Sequence, residues 1–387
     1  GLTEHRGPAP DSFWTWRELM YHFVAQLAPE DVEVIAAQAY VEMLEAGFTR
    51  VGEFHYLHHD PTGASYADPA ELSGRVVAAA AQTGIGLCLL PVFYAHGGFG
   101  GLPLSAAQQR FGNDVDRFAR VLDAARQHVA RVPGGRLGVA PHSLRAVTPD
   151  ELAQVIALAP PEGPIHIHAA EQLAEVEACE RWSGQRPITW LLEHAPLDTR
   201  FCVVHATHMT RDETRRLAAS GAVAGLCPIT EANLGDGIFP AGEYLAQGGR
   251  FGVGSDSNVL IRASEELRLL EYGQRLTQHA RNVLATPARS VGRRLFEAAL
   301  IGGGQALGSP AGIAVGAPAD LVSFADDHPS LHGRRGDALL DSWIFAAADG
   351  CIDRVWCGGV ERVTGGRHVL REAVARRYRA TLARLVG

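Results

Sequence analysis

From about residue 14 to residue 303 two hydrophobic periodicities alternate along the chain. One repeats every three to four residues, as on a helix with a buried face, and the other is a short continuous apolar run. Apolar residues at helical spacing (Trp16, Leu19, Met20, Phe23) predict a helix over 14–27, and Pro29-Glu-Asp-Val opens another to about residue 44, which Gly47 ends. The unit then repeats as helix, glycine-containing turn, apolar strand and polar cluster. Strands are predicted at 50–54, 86–92, 137–140, 165–168, 201–204, 222–226 and 251–253. The helices between and after them fall at 69–84, 114–131, 149–158, 171–194 with a break near Gly184, 209–219, 240–247, 263–277 and 289–303. Strands alternating with helices indicate βαβ units and a parallel sheet.

The expected architecture is an α/β fold of the (β/α)8 TIM-type barrel class over 1–305. Seven strands are visible where a closed barrel has eight, so the first is expected to precede residue 1. A seven-stranded open sheet is the alternative. It fits less well, because polar clusters follow nearly every strand instead of gathering at one switch point. After residue 304 the pattern changes to short strands and tight turns at 312–324, 352–356 and 359–363, with a closing helix at 369–385. Residues 306–387 are therefore expected to form part of a small β-sandwich-like accessory domain. Residues 1–14 are turn-rich and are expected to form an extended loop over a site.

The polar clusters sit just past the strand ends. They comprise His55, Tyr56, His58 and His59; His142, Ser143 and Arg145; His168 and Glu171; His205, Thr207 and His208; Glu231 and Asn233; and Asp256 within Gly252-Val-Gly-Ser-Asp256-Ser-Asn258. His166 and His168 share one strand face, with Ile165 and Ile167 on the other. His166 is expected to be a barrel-interior partner. A single histidine in such a place is more often a satisfied core group than a ligand. The ordered set His168, His205, Asp256 at strand ends spaced by one and two βα units points to a metal site at one barrel mouth. His55, His58 and His59 are expected beside the site or on the surface. Glu231 and Asn233 are expected in a lid loop or, equally, as helix or turn caps.

Composition narrows the chemistry. A formal charge of -8 lacks the basic excess of a nucleic-acid binder. No apolar run reaches the ~18 residues of a membrane span. The six cysteines are scattered without a C-x-x-C pair, a usage that suits a reducing cytosol. All 35 basic residues are arginines. The absence of lysine removes a Schiff-base lysine, a phosphate-loop lysine and a carbamylated lysine bridging two metals, so any metal site is expected to hold one ion.

Pro141-His-Ser-Leu-Arg145, His166-Ile-His-Ala-Ala-Glu-Gln172, Val204-His-Ala-Thr-His208, Cys227-Pro-Ile-Thr-Glu-Ala-Asn-Leu-Gly-Asp-Gly237 and Gly254-Ser-Asp-Ser-Asn258, with Thr15-Trp-Arg17 and Phe54-His-Tyr56, resemble the amidohydrolase superfamily. Within it they are similar to the formimidoylglutamate deiminase family. The resemblance implies hydrolysis of N-formimidoyl-L-glutamate to N-formyl-L-glutamate and ammonia, a step of histidine degradation, by a cytoplasmic homodimer. It implies one divalent metal, expected to be Zn²⁺, on His168 and Asp256, with Glu171, His205 and Asp256 catalytic. Its substrate carries two carboxylates, for which Arg17 and Arg145 are the expected forked cations, with Tyr56 and His142 as hydrogen-bonding partners. The family's strand-one His-x-His is absent. The chain is thus expected to begin just after that motif and to hold metal weakly. Two competing readings are a deaminase of an aminopurine or aminopyrimidine, and a non-catalytic barrel scaffold.

Overall fold

The computed structural model describes Glu4 and residues 13–386, so the loop expected over 1–14 lies largely outside the described residues. Helices α1 (Phe13–Val24) and α2 (Pro29–Glu45) lead into β1 (Arg50–His55), α3 (Glu71–Thr83), β2 (Gly86–Phe93) and α4 (Val115–Val129). Two short segments, β3 (Arg136–Leu137) and β4 (Ala140–Pro141), then form one interrupted strand beside β2. They are followed by α5 (Pro149–Leu158), β5 (Ile165–Ala169), α6 (Leu173–Ser183), α7 (Pro187–His194), β6 (Phe201–His205), α8 (Arg211–Ser220) and β7 (Val223–Leu226). The series closes with α9 (Pro228–Leu234), α10 (Ala241–Ala246), β8 (Arg250–Val253), α11 (Ala263–Gln278) and α12 (Val291–Ala306).

All pairings from β1 to β8 are parallel. Two four-membered runs, β1-β2 with β3 and β4, and β5-β6-β7-β8, are joined by the bridges Val139↔Ile165 and Ser143↔His168. Among the described residues β1 and β8 do not pair with each other, and they form the two edges of this parallel sheet. Central strands read as continuous apolar runs because both of their faces are covered: Leu87, Leu89, Val92 and Phe93 of β2 are buried, as are Ile165, Ile167, Phe201 and Val203.

The remaining residues build a separate antiparallel sheet, ordered β12-β11-β10-β9, from β9 (Leu321–Phe324), β10 (Ile352–Cys357), β11 (Val360–Thr364) and β12 (Arg367–His368). Helix α13 (Asp337–Phe345) crosses between β9 and β10, and α14 (Arg371–Val386) closes the chain. α14 lies along α2 through three ion pairs, Arg371–Glu45, Arg377–Glu33 and Arg384–Asp31.

Three expectations need correction. The strand expected over 312–324 forms only at Leu321–Phe324; the preceding glycine- and proline-rich stretch leaves Ile313 and Val315 exposed instead of paired. α9 and α13 were not foreseen. α9 carries ordinary signals, Pro228 in its first turn and Gly235 in the left-handed conformation at its end. Its seven residues are too few to display a periodicity. Finally, α6 starts at Leu173, which leaves Glu171 in the turn between β5 and that helix.

α12 packs on β8 by backbone approach. A Cβ at Gly302 would fall 2.0 Å from the Phe251 carbonyl oxygen, whereas one at Gly303 would meet nothing within 4 Å. Gly302→Ala is therefore expected to cost ~1–3 kcal/mol of stability. Gly303→Ala is expected to be neutral or to gain up to ~1 kcal/mol by stiffening the helix. Urea unfolding of the two variants checks both signs.

Candidate active site

Polar side chains at or just past the ends of the parallel strands, among them Tyr56, Tyr94, His142, His168, His205 and Asp256, line a cavity of about 880 Å³. His168 comes from β5, His205 from the last position of β6, and Asp256 from the turn after β8. His205 (φ 67), Ala206 (φ 49) and Asp256 (φ 42) all occupy the left-handed backbone region. A residue with a Cβ pays roughly 1–2 kcal/mol for that conformation, and such residues concentrate where side chains must be aimed.

The His168 and His205 rings stack at 5.4 Å with 19° between planes. His168 Nδ1 donates to the His142 carbonyl at 3.0 Å, which leaves its Nε2 lone pair free for the cavity. His205 Nε2 lies 3.5 Å from Glu171 Oε1 and 4.0 Å from Asp256 Oδ2. Its Nδ1 faces Glu231 Oε1 at 3.2 Å. Arg145 reaches Glu171 Oε2 at 3.7 Å, and Glu171 is anchored by its own N–H, which donates to Glu175 Oε2 at 3.0 Å.

Electrostatics divides these groups. Burial, then the His205 charge, holds His168 neutral with its pKa far below the usual histidine range. His142 is likewise held down by burial and by His168. Burial alone would lower His205 too, but Glu171, Glu231 and Asp256 outweigh it and push it up to about 10. Burial raises the Glu171 and Asp256 carboxyls, only partly countered by His205. Asp236 is pushed up to about 8 by burial and by Glu171. Four carboxyl groups thus share one imidazole and one guanidinium.

That deficit of positive charge is the strongest local argument for a cation, because buried anions without partners neutralise themselves or find one. Two groupings place one ligand atom of each residue within 4.8 Å of the others: Glu171, His205 and Asp236, and His205, Cys227 and Glu231. Burial pushes the Cys227 thiol far above its ordinary pKa, so the second grouping lacks a ready thiolate. The expected ligands His168 and Asp256 flank His205 on the same cavity wall. With a bare His168 Nε2, a carboxylate and a surplus of negative charge, the residues present fit a divalent metal.

Arg145, His142, Tyr56 and Arg17 also line the cavity. Burial opposes the Arg145 charge, but Glu175 and Glu171 more than offset it. Tyr56 packs edge-on against Phe111 at 5.0 Å and lies 5.9 Å from the His142 ring. Arg17 projects from α1, its guanidinium 5.7 Å from the Tyr21 ring centre. His166 is buried and donates to the Ala306 carbonyl at 2.7 Å, as expected of an interior partner.

Three histidines belong elsewhere. His55, His58 and His59 are buried, not on the surface, and do not line the cavity. His58 Nε2 donates to the Val92 carbonyl and His59 Nε2 meets Gly112 and Asn113, tying the turn after β1 to neighbouring chain. Glu231 lies buried on α9 and not in a lid loop; by accepting the Cys227 N–H it fills the helix-cap role that is the other expectation. Glu175 and Asp236 were missed altogether. Glu175 looks like a solvated helix-face charge by spacing, and Asp236 reads as a turn residue between two glycines.

Residues 3–362 match the amidohydrolase family. The chain is 53% identical over 388 residues to formimidoylglutamate deiminase of Pseudomonas aeruginosa, covering 100% of this chain and 85% of that protein. It is 30% identical to 8-oxoguanine deaminase of the same species, covering 96% and 81%. A crystal structure of an amidohydrolase from Brucella melitensis superposes with TM-score 0.96 at 53% identity, covering 100% and 86%. An adenosine deaminase from Xanthomonas campestris, with bound zinc, shares the fold at TM-score 0.80 and 22% identity, covering 98% and 82%.

Glu266, fully buried on α11, accepts the Ile229 N–H at 2.9 Å and anchors the first turn of α9. Burial pushes it from 4.5 up to about 9. A carboxyl raised in the fold binds its proton more tightly there than when unfolded. Its contribution is therefore intact below pH 4.5 and is lost as pH climbs to about 9. Glu266→Gln is expected to match the parent chain near about pH 5 and to exceed it in stability near about pH 8.5. Thermal melts at the two pH values decide it; equal melting temperatures at the higher pH would contradict the buried-acid assignment.

Proposed function

The chain belongs to the amidohydrolase family, and we propose that it uses the cavity to hydrolyse N-formimidoyl-L-glutamate to N-formyl-L-glutamate and ammonia. Identity of 53% across the whole chain to a formimidoylglutamate deiminase supports this reading. The geometric observation that carries it is the pairing of Arg145 with Glu171 on one cavity wall. A guanidinium for a carboxylate and a carboxyl for an imino nitrogen stand side by side, as a substrate with an acid at one end and an amidine at the other requires.

We assign the parts as follows. His168 and Asp256 would hold one divalent metal, probed first as Zn²⁺, which when bound supplies a Lewis acid that brings the pKa of water to ~7. Asp256 takes up the proton of the attacking water, which His205 Nε2 orients. Glu171, whose pKa burial raises, gives a proton to the departing imino nitrogen. The water's oxygen ends in the formyl group and its two protons end on ammonia. Arg145, with Arg17, Tyr56 and His142, holds the two carboxylates. An aminopurine carries no pair of acids for these cations. We read the seven parallel strands as seven of the eight of a (β/α)8 barrel over 1–305, with 306–387 as part of a β-sandwich-like accessory domain.

Ammonia release by the metal-loaded protein tests this, with guanine and cytosine in parallel. Arg145→Ala is expected to raise KM at least ~10-fold with a smaller effect on kcat. Glu171→Ala and His205→Ala are expected to lower kcat by ~10²–10⁴-fold. Unchanged kinetics in Arg145→Ala, or faster turnover of either base, would count against the substrate.

A further inference from the structure

His205 meets the cavity through one ring nitrogen only. Nε2 faces Glu171 and Asp256, while Nδ1 faces Glu231 Oε1 at 3.2 Å. Glu231 comes from another element, α9, and has no part in the assignment above. Its Oε1 also accepts the Cys227 N–H at 2.9 Å, and its side chain is 5% exposed. The helix that carries it is fixed at both ends: Ile229 N–H donates to Glu266, and Asp236 N–H donates to the Glu231 carbonyl. The carboxylate therefore has a set position before any substrate arrives.

A cap for α9 would need only the bond from Cys227. The second contact does nothing for that helix, and it is made to a histidine whose own backbone is held in the left-handed region at φ 67. A carboxylate oxygen opposite Nδ1 keeps a proton on that nitrogen and fixes the plane of the ring. We propose that Glu231 is a positioning residue for the reaction: it holds the His205 ring by its Nδ1–H, so that Nε2 points at the attacking water. Carboxylates that orient the imidazoles of metal sites contribute about 10–100-fold to activity. The consequence for rate rests on the deiminase reading; the Nδ1 bond does not.

The experiment has two arms. In the metal-loaded protein, Glu231→Ala is expected to lower kcat for N-formimidoyl-L-glutamate by about 10–100-fold, with KM within about twofold. Glu231→Gln, whose amide oxygen can accept from both Cys227 and Nδ1, is expected to recover most of that loss. In the second arm, proton–nitrogen correlation spectra of ¹⁵N-histidine-labelled protein report the protonation and hydrogen bonding of each ring nitrogen, with His205 assigned by its loss in His205→Gln. A hydrogen-bonded Nδ1–H is expected in the unaltered chain and in Glu231→Gln, and its signal is expected to shift or broaden in Glu231→Ala. An Nδ1 without a proton in the unaltered chain overturns the proposal. So does a fall in kcat in Glu231→Ala without a change in the His205 spectrum, which would make Glu231 a helix cap alone. If the unaltered protein releases no ammonia, the deiminase reading fails, and the spectra alone decide the Nδ1 contact.

Discussion

One buried imidazole organises the mouth of the cavity. His205 is 1% exposed and stands among Glu171, Glu231 and Asp256, each delivered by a different element. Burying so many acids is unfavourable unless their charge is shared or neutralised. Much of the local structure follows from that constraint. Arg145 closes on Glu171, the carboxyls shift toward their protonated forms, and α9 is pinned by Glu266 so that Glu231 reaches the ring from behind. The same excess of negative charge suits the cluster to a divalent cation and to a substrate whose reacting end is a basic amidine.

The parallel sheet makes such crowding possible. Its strands end together at one edge, so residues far apart in the chain arrive within a few ångströms, and left-handed turns at His205 and Asp256 aim them inward. The tighter contacts lie below the mouth: Gly302 lets α12 touch β8, and His166 bonds the end of that helix. Rigid packing beneath a polar rim is what keeps a hydrolytic site in register.

Much of this was legible in the residues. Short apolar runs bounded by turn residues read as strands by their length, and the helices between them carried clear periodicity. Polar residues directly after apolar strands announced His168, Glu171, His205 and Asp256, because nothing in a packed interior calls for them. What stayed hidden was whatever depends on distant partners. Glu231 looked like a lid or cap residue until α9 brought it to His205. Glu175 is indistinguishable by spacing from a solvated charge, yet it is 1% exposed and holds the Glu171 backbone. His55, His58 and His59 form a conspicuous motif that turns out to brace a loop, since a histidine's role is set by what its second nitrogen meets. The exposed stretch around Ile313 and Val315 read as strand by composition but has no ladder partner among the described residues.

The central claim is that this acid-rich mouth, with its arginines, recognises an amidine bearing two carboxylates. The most direct measurement compares kcat/KM for N-formimidoyl-L-glutamate with that for N-formimidoyl-L-glutamine, in which the side-chain acid is a neutral amide of nearly the same shape. Losing a charge-assisted contact to a buried guanidinium predicts a drop of at least ~10²-fold for the amide. Equal values for the two substrates would contradict the account.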